Sequence, residues 1–181
     1  MTRAEPSSER QTLRLTCDDA EATREVGAAV GRHAPAGTVV LLQGDLGAGK
    51  TVFAQGVGRG LDAPTVVNSP TFVLMNEHLG GRLPMRHADL YRLDDVDLIA
   101  ELGLDQAAEG GILLVEWPER ASGALPTDHV HVNLVPLSED ISEDALDASP
   151  RELIMTAQGD GAMALLTELA ELAKTLQSAP V

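Results

Sequence analysis

The chain has 181 residues, of which 44 % are hydrophobic and 23 % are charged, and its formal net charge at pH 7 is −15. This length is enough for one domain with a buried core, and the apolar content argues against general disorder. A chain this acidic lacks the cationic surface that binds nucleic-acid phosphates. Any contact with RNA or DNA would therefore be made by a partner.

Cysteine usage and the absence of long apolar runs predict where the protein works. Cys17 is the one cysteine of the chain, so an internal disulfide is impossible and a reducing compartment is expected. Residues 1–10 contain no apolar signal core, and no run of about 18 apolar residues occurs. We therefore expect a cytoplasmic protein, with residues 1–10 as a flexible tail and residues 11–181 as a single domain.

The first third of the chain predicts two strands, each followed by a helix. Residues 12–17 alternate between polar and apolar side chains, as in a short strand, and residues 18–33 have apolar side chains at helical spacing. Residues 38–43, TVVLLQ, form the apolar, β-branched run of a buried strand. After a glycine-rich break, a second helix is predicted from about Lys50 to Leu61.

The remaining chain predicts a hairpin, further strands and a closing helix. The hairpin is expected where extended segments flank residues 79–81, LGG. The other elements predicted are a helix over 94–104, a buried strand over 111–117, strands over 128–137 and 151–158, and an amphipathic helix over 160–177 whose leucines face the core. The acidic loop over 138–147 is expected to be solvated. These elements indicate an α/β fold whose sheet is partly parallel and partly antiparallel.

Residues 44–51, GDLGAGKT, match the phosphate-binding pattern G-x-x-x-x-G-K-[ST] without a mismatch. The glycines allow a tight turn that directs backbone N–H groups at phosphate oxygens, and the following helix adds the positive end of its dipole. Lys50, one of two lysines in the chain, is expected to reach the outer phosphates, and the Thr51 hydroxyl to ligate Mg²⁺. This stretch therefore predicts a site for a nucleoside triphosphate.

Three residues further along the chain are candidates to complete that site. Glu116 ends the apolar run ILLVE, as the acid of a Walker B strand does, although an ordinary acid at a strand end has the same pattern. Asp89 also ends a predicted strand, with a helix cap or a partner for Arg92 as the alternative. Thr71 in NSPTF is placed to follow a γ-phosphate, and a threonine chosen for its β-propensity is equally plausible.

The chain has four aromatic residues, and each lies inside or beside one of these motifs: Phe53, Phe72, Tyr91 and Trp117. Core filling would explain one or two of them, but the clustering of all four predicts that they shape the site or a partner face, with Trp117 beside Glu116 as the residue that senses nucleotide. The five histidines have no zinc-ligand spacing.

Taken together, five motifs resemble those of the TsaE family, formerly YjeE, small bacterial P-loop ATPases needed to make threonylcarbamoyladenosine in tRNA. They occur in the family's order over roughly residues 40 to 120: GDLGAGKT (44–51), SPTF (69–72), HADLYRL (87–93), ELGL (101–104) and VEWPE (115–119). The first motif is shared with many ATPases, whereas the conjunction of the others is much more specific.

The resemblance implies a three-layer α/β/α P-loop fold, ATP with Mg²⁺, and weak ATPase activity that becomes useful in a complex with the TsaD and TsaB proteins. It implies contact with tRNA only through those partners, and none with DNA or a membrane. By the same resemblance, Lys50, Asp89 and Glu116 would be catalytic, with Thr51, Glu116 and Asp89 on the metal side. The nucleotide would contact Asp45, Leu46, Gly47, Ala48, Gly49, Lys50, Thr51, Thr71, Trp117, Glu119 and Arg151.

The chain departs from the family pattern at two positions. Val52 stands where a second hydroxyl is usual, which removes one hydrogen bond to an inner phosphate, worth about 1 kcal/mol. Ala88 stands where a larger apolar residue is common, which affects packing more than chemistry.

Two other functions remain open from the residues. A small-molecule kinase would need a second substrate pocket and a basic lid, and no arginine-rich lid segment is visible. A non-catalytic nucleotide-sensing module would use the same loop without turnover. A GTPase is disfavoured because the chain has no N-K-x-D sequence to select guanine.

Overall fold

A computed structural model describes residues 11–70, 74–93, 95–121, 123–137 and 149–178. The described elements are, in chain order, β1 (Thr12–Cys17), α1 (Ala20–His33), β2 (Thr38–Gln43), α2 (Lys50–Gly60), β3 (Met75–His78), β4 (Met85–Asp89), α3 (Val96–Glu101), α4 (Leu104–Ala107), β5 (Ile112–Glu116), a 3₁₀ turn (Pro118–Ala121), β6 (His129–Pro136), β7 (Arg151–Gln158) and α5 (Asp160–Ser178). The tail predicted over 1–10 and the acidic loop over 138–147 lie outside the described residues.

The strands of the described residues form one mixed sheet in the order β1-β7-β6-β2-β5-β4-β3. Strands β6, β2, β5 and β4 are mutually parallel, whereas β1, β7 and β3 run antiparallel to their neighbours. In the parallel part, Glu116 at the end of β5 pairs with Leu42 of β2 on one side and with Asp89 of β4 on the other. The carboxyl ends of these strands therefore meet at one edge, where open α/β sheets bind their ligands.

Helices cover both faces of the sheet because successive strand residues point to opposite sides. Val40 and Leu42 of β2 pack in a core with α1, α2 and α5, whereas Val39 and Leu41 pack in a second core with α3, α4 and the 3₁₀ turn. This arrangement confirms the predicted three-layer α/β/α architecture with a mixed sheet. None of the helices in the described part of the chain is long and apolar enough to cross a membrane.

One of the four aromatic residues does not serve the site as predicted. Phe53, on α2, is fully buried in the first hydrophobic core. It therefore fills the space between the helix and the sheet, and the expectation that it shapes the site is wrong. Phe72 lies outside the described residues.

The helix predicted over 94–104 is instead two short helices, α3 and α4. Asp95 caps α3 by accepting a hydrogen bond from the Asp97 backbone N–H at 2.9 Å. Gly103 then adopts a left-handed conformation with φ of 60°, which ends the first helical path and redirects the chain into α4. A glycine at this position is a helix terminator that the apolar periodicity of the segment concealed.

The hairpin is confirmed, but its second strand begins later than predicted. Strand β3 ends at His78 and β4 begins at Met85. Between them, the Arg82 guanidinium donates to the Gly31 and Ala34 carbonyl oxygens, each at 2.7 Å. The Arg82 backbone N–H also donates to the Leu61 carbonyl at 2.7 Å. These bonds hold the loop against α1 and α2, so it does not continue the strand ladder.

Candidate functional site

The glycine-rich loop (residues 44–49) connects the end of β2 to the start of α2 at Lys50. It closes on itself through a hydrogen bond from the Ala48 N–H to the Asp45 carbonyl at 3.1 Å. Gly49 has φ of +104°, and a Cβ there would lie 2.3 Å from Nη1 of Arg151. A side chain at Gly49 would therefore be strained by the backbone conformation, and it would also displace the guanidinium packed over it.

Lys50 is 95 % buried by its neighbours, with only 5 % relative exposure, and its ammonium group lies inside the loop. Nζ donates to the carbonyl oxygens of Gly44 at 2.7 Å and Asp45 at 2.9 Å, and it lies 3.9 Å from the centroid of the Trp117 ring. Burial lowers the pKa of Lys50. The negative charges of nearby carboxylates, of which Glu116 has the largest effect, partly offset this lowering. An ammonium has three N–H donors, so one remains for an anionic ligand.

Glu116 is also buried, and two side chains converge on the same oxygen of its carboxylate. The Thr51 hydroxyl donates to Oε1 at 3.1 Å, and Nε2 of His87 lies 2.9 Å from Oε1. Within the described residues Oε2 has no hydrogen-bond partner. These contacts join the first turn of α2 to the end of β5, and they leave Oε2 of Glu116 to accept a ligand.

Asp89 lies beside Glu116 in the register of β4 and β5. Its Oδ2 accepts a hydrogen bond from the Ser69 hydroxyl at 2.7 Å, and its Oδ1 accepts one from the Tyr91 backbone N–H at 3.0 Å. The following helix is capped by Asp95 instead, so Asp89 is not that helix cap. Two bonds of this kind fix the direction of the carboxylate at the sheet edge.

A cleft with a volume of about 440 Å³ opens between the glycine-rich loop and the two acids. Of the residues predicted for the site, it brings together Leu46, Gly47, Gly49, Lys50, Thr51, Asp89, Glu116, Trp117 and Arg151. The side chain of Ala48 is buried against Gly44 in the loop. Arg151, which opens β7, crosses over the loop and donates to the Ala48 carbonyl at 3.5 Å. Val52, the departure from the family pattern, also lines this cleft.

Two of the predicted site residues lie elsewhere. Asp45 and Glu119 line a separate cavity of about 190 Å³ on the other side of Trp117. Trp117 has a left-handed backbone with φ of 60°, which turns the chain between Glu116 and Glu119. Contact of Asp45 and Glu119 with a nucleotide therefore stays a prediction. Thr71 lies outside the described residues, and its predicted role stays a prediction too.

The polar groups of the cleft fit a Mg²⁺ ion that is shared with a phosphate ligand. Within the described residues, no group of three or more His, Cys, Asp or Glu side chains could enclose a metal by itself. The cleft instead offers the Thr51 hydroxyl and the carboxylates of Glu116 and Asp89. Mg²⁺ in nucleotide sites typically takes one or two such ligands and completes its shell with phosphates and water.

Comparison with known proteins identifies the family of the chain. Residues 17–143 match the family model of TsaE, described as a threonylcarbamoyl adenosine biosynthesis protein. The chain belongs to the TsaE family. That family has its role in the biosynthesis of tRNA threonylcarbamoyladenosine.

Individual members of the TsaE family resemble the chain over most of its length. The protein named tRNA threonylcarbamoyladenosine biosynthesis protein TsaE in Bacillus subtilis (strain 168) is 36 % identical over 150 residues, covering 82 % of this chain and 88 % of the relative. The protein of the same name in Nostoc sp. (strain PCC 7120) is 44 % identical over 115 residues, covering 61 % and 70 %. The crystal structure of Bacillus subtilis YdiB superposes with a TM-score of 0.76 at 30 % identity, covering 92 % of this chain and 99 % of that one.

Sequence reasoning missed His87 and gave Ser69 no partner, yet both contact an acid of the site. A signal for His87 was present, because it precedes Asp89 by two residues on a strand and so shares its face. Tyr91 was expected near the site, and its ring lies 4.8 Å from that of Trp117, centroid to centroid. In this TsaE-family chain, Tyr91 and Trp117 thus form one wall of the cleft.

Proposed function

We propose that this protein works in the cytoplasm, where it binds ATP with Mg²⁺ and hydrolyses it weakly, in support of a TsaD–TsaB complex that transfers a threonylcarbamoyl group to tRNA. Contact with tRNA would be made by those partners, and neither DNA nor a membrane would be involved. Membership of the TsaE family and the names of its relatives support the pathway. The chemistry of the cleft supports ATP and Mg²⁺.

The observation that carries the proposal is the contact between the first turn of α2 and Glu116 at the end of β5. The Thr51 hydroxyl, bonded to Glu116 at 3.1 Å, and the Lys50 ammonium both line one cleft with Asp89. A bound Mg²⁺ ion would neutralise charge on the outer phosphates, with Thr51 and Glu116 as the side chains that hold it. Lys50 would contribute its remaining N–H to the β/γ-phosphates. Asp89, fixed by Ser69 and the Tyr91 N–H, would orient the attacking water.

Reconstituted tRNA threonylcarbamoylation tests the pathway. We compare three reactions of the TsaD and TsaB proteins: with the wild-type chain, with the Lys50→Ala variant and with neither. We expect repeated turnover with the wild-type chain, whereas turnover with the variant should equal that of the reaction without either chain. Removal of the ammonium leaves the phosphate charge uncompensated in a buried loop. Equal turnover in all three reactions would contradict the proposal. Thermal unfolding of the variant checks that it is folded.

ATP hydrolysis by the chain itself tests the roles of the two acids. Glu116→Gln and Asp89→Asn should each lower kcat by about 10²-fold or more, because each removes a carboxylate that acts in the transition state. Asp105→Asn, on the exposed side of α4, is the matched control and should leave kcat unchanged. The fluorescence of Trp117, the single tryptophan of the chain, reports ATP binding independently of turnover.

The two alternative functions give different outcomes in the same assays. If both acid variants turned over ATP at the wild-type rate, the chain would be a nucleotide-sensing module. If a phosphorylated metabolite accumulated without the partner proteins, it would be a small-molecule kinase.

A further inference from the structure

We propose that His87 is a positioning residue for Mg²⁺: its Nε2–H holds the Glu116 carboxylate in the orientation that receives the metal. This inference rests on the proposed function, since it concerns the same cleft. It adds a residue that never touches the nucleotide and acts only through Glu116.

The contact itself is buried and specific. The side chain of His87 has no solvent exposure, and Nε2 lies 2.9 Å from Oε1 of Glu116. A carboxylate only accepts hydrogen bonds, so the ring donates from Nε2. The Thr51 hydroxyl donates to the same oxygen at 3.1 Å. Two donors on Oε1 fix the plane of the carboxylate and leave Oε2 for a ligand.

A space-filling role does not account for an imidazole at this position. Nδ1 of His87 is buried and has no hydrogen-bond partner among the residues that the structure describes. A buried polar atom without a partner destabilises the fold, and an apolar side chain of similar size would avoid that cost. The benefit of the imidazole therefore lies in its other nitrogen, at Glu116. Outer-shell hydrogen bonds of this kind set the orientation and the affinity of metal ligands.

His78, on the neighbouring strand β3, provides a matched comparison. It is 5 % exposed, its Nδ1 lies 2.8 Å from the Thr65 hydroxyl, and its Nε2 has no partner among the described residues. It thus shares the burial and the unpaired nitrogen of His87, but it bonds to Thr65 and not to an acid of the cleft. A substitution at His78 therefore separates general effects of burial from effects on Glu116.

Two amide substitutions separate positioning from packing. In His87→Gln the amide nitrogen is four bonds from Cα, as Nε2 is, and it can still donate to Glu116. In His87→Asn the amide nitrogen is three bonds from Cα, as Nδ1 is, and it falls short of Glu116. The two variants carry the same amide group, so a difference in their Mg²⁺ affinity depends on whether the amide nitrogen reaches Glu116. His78→Gln is the control on the neighbouring strand.

Calorimetric titration with ATP in EDTA, and with Mg²⁺ in the presence of ATP, provides the readout. We expect His87→Asn to weaken apparent Mg²⁺ affinity by about 10-fold or more while ATP affinity in EDTA stays at the wild-type value. His87→Gln should restore most of the Mg²⁺ affinity, and His78→Gln should leave both affinities unchanged.

Three results would overturn the inference: wild-type Mg²⁺ affinity in His87→Asn, an equal loss of ATP affinity with and without metal, or failure of His87→Gln to restore binding. Each would make His87 a structural residue only, while the proposed function stood. A wild-type chain that bound no ATP in either buffer would overturn the proposed function itself, and this inference with it.

Discussion

Burial affects the pKa of His78, which lies outside the cleft. Burial lowers the pKa of His78, and the nearby His87 lowers it further. The folded chain therefore favours the neutral ring, whereas in the unfolded chain the ring regains its ordinary pKa of about 6.5. The unfolded state binds more protons between these two values, so folding stability falls as the pH falls through this range.

At the residue scale we therefore predict a pH dependence of stability that His78→Gln reduces. The free energy of unfolding of the wild type should fall from pH 7.5 to 5.5, with at most about 1.4 kcal/mol per pH unit from one histidine. The variant should have a shallower slope in urea denaturation. Some slope should remain, because burial also lowers the pKa of His131. Identical slopes in the two proteins would refute the assignment to His78.

The position of α2, the helix that follows the glycine-rich loop, depends on its unusually close approach to α1. A Cβ at Gly27 or Gly31 of α1 would lie 2.3 Å from a carbonyl oxygen of α2. The reverse holds for Gly56 and Gly60 of α2, where the distances to carbonyl oxygens of α1 would be 2.2 and 2.1 Å. Since α2 begins with Lys50, this contact positions the end of the helix that carries Lys50 in the cleft.

At the element scale we predict that Gly60→Ala destabilises the protein by about 1–3 kcal/mol, because the added methyl group meets backbone that cannot move without separating the helices. An alanine in an open helix would instead stabilise by about 0.5–1 kcal/mol. Gly161→Ala in α5 is the comparison variant, because the atoms nearest to its Cβ would be those of the Asp128 carboxylate, at 3.1 Å, and not the backbone of another helix. That carboxylate accepts hydrogen bonds from the Gly161 and Ala162 N–H groups, so a small shift of Asp128 is the most that the variant requires. Urea denaturation of both variants gives the comparison, and equal effects would contradict the packing account.

The charge of the whole molecule bears on its partners. The formal net charge is −15, and several arginines are paired with acids: Arg59 with Glu21 and Glu25, Arg14 with Glu152, and Arg86 with Glu77. Pairing of this kind removes cations that a phosphate backbone would otherwise contact. Few cationic side chains then remain to displace counterions from RNA phosphates, which is the main source of non-specific affinity for RNA.

At the scale of the whole molecule we predict that the chain alone does not bind tRNA at about 0.15 M salt. Fluorescence anisotropy of labelled tRNA should be unchanged by the chain and should respond once the TsaD and TsaB proteins are added. Binding by the chain alone, weakening steeply as salt is raised, would contradict this prediction.

Local patterns in the sequence determined much of this protein. The strands at residues 12–17, 38–43 and 151–158 and the helix start at Lys50 follow from side-chain periodicity and from the glycine pattern, which involve only neighbouring residues. The amphipathic closing helix was predicted for the same reason, and its Leu165, Leu166 and Leu169 are buried as expected.

Only the tertiary structure decided how the site is assembled. Asp89 and Glu116 are neighbours because of the register of two parallel strands, and His87 reaches Glu116 across that same pair. The burial of Phe53 and the approach of α1 to α2 likewise depend on how distant segments pack. Periodicity and motif fix which groups a segment presents and on which face. Which groups meet depends on strand pairing and helix packing between residues far apart in the chain, and these leave no local signal.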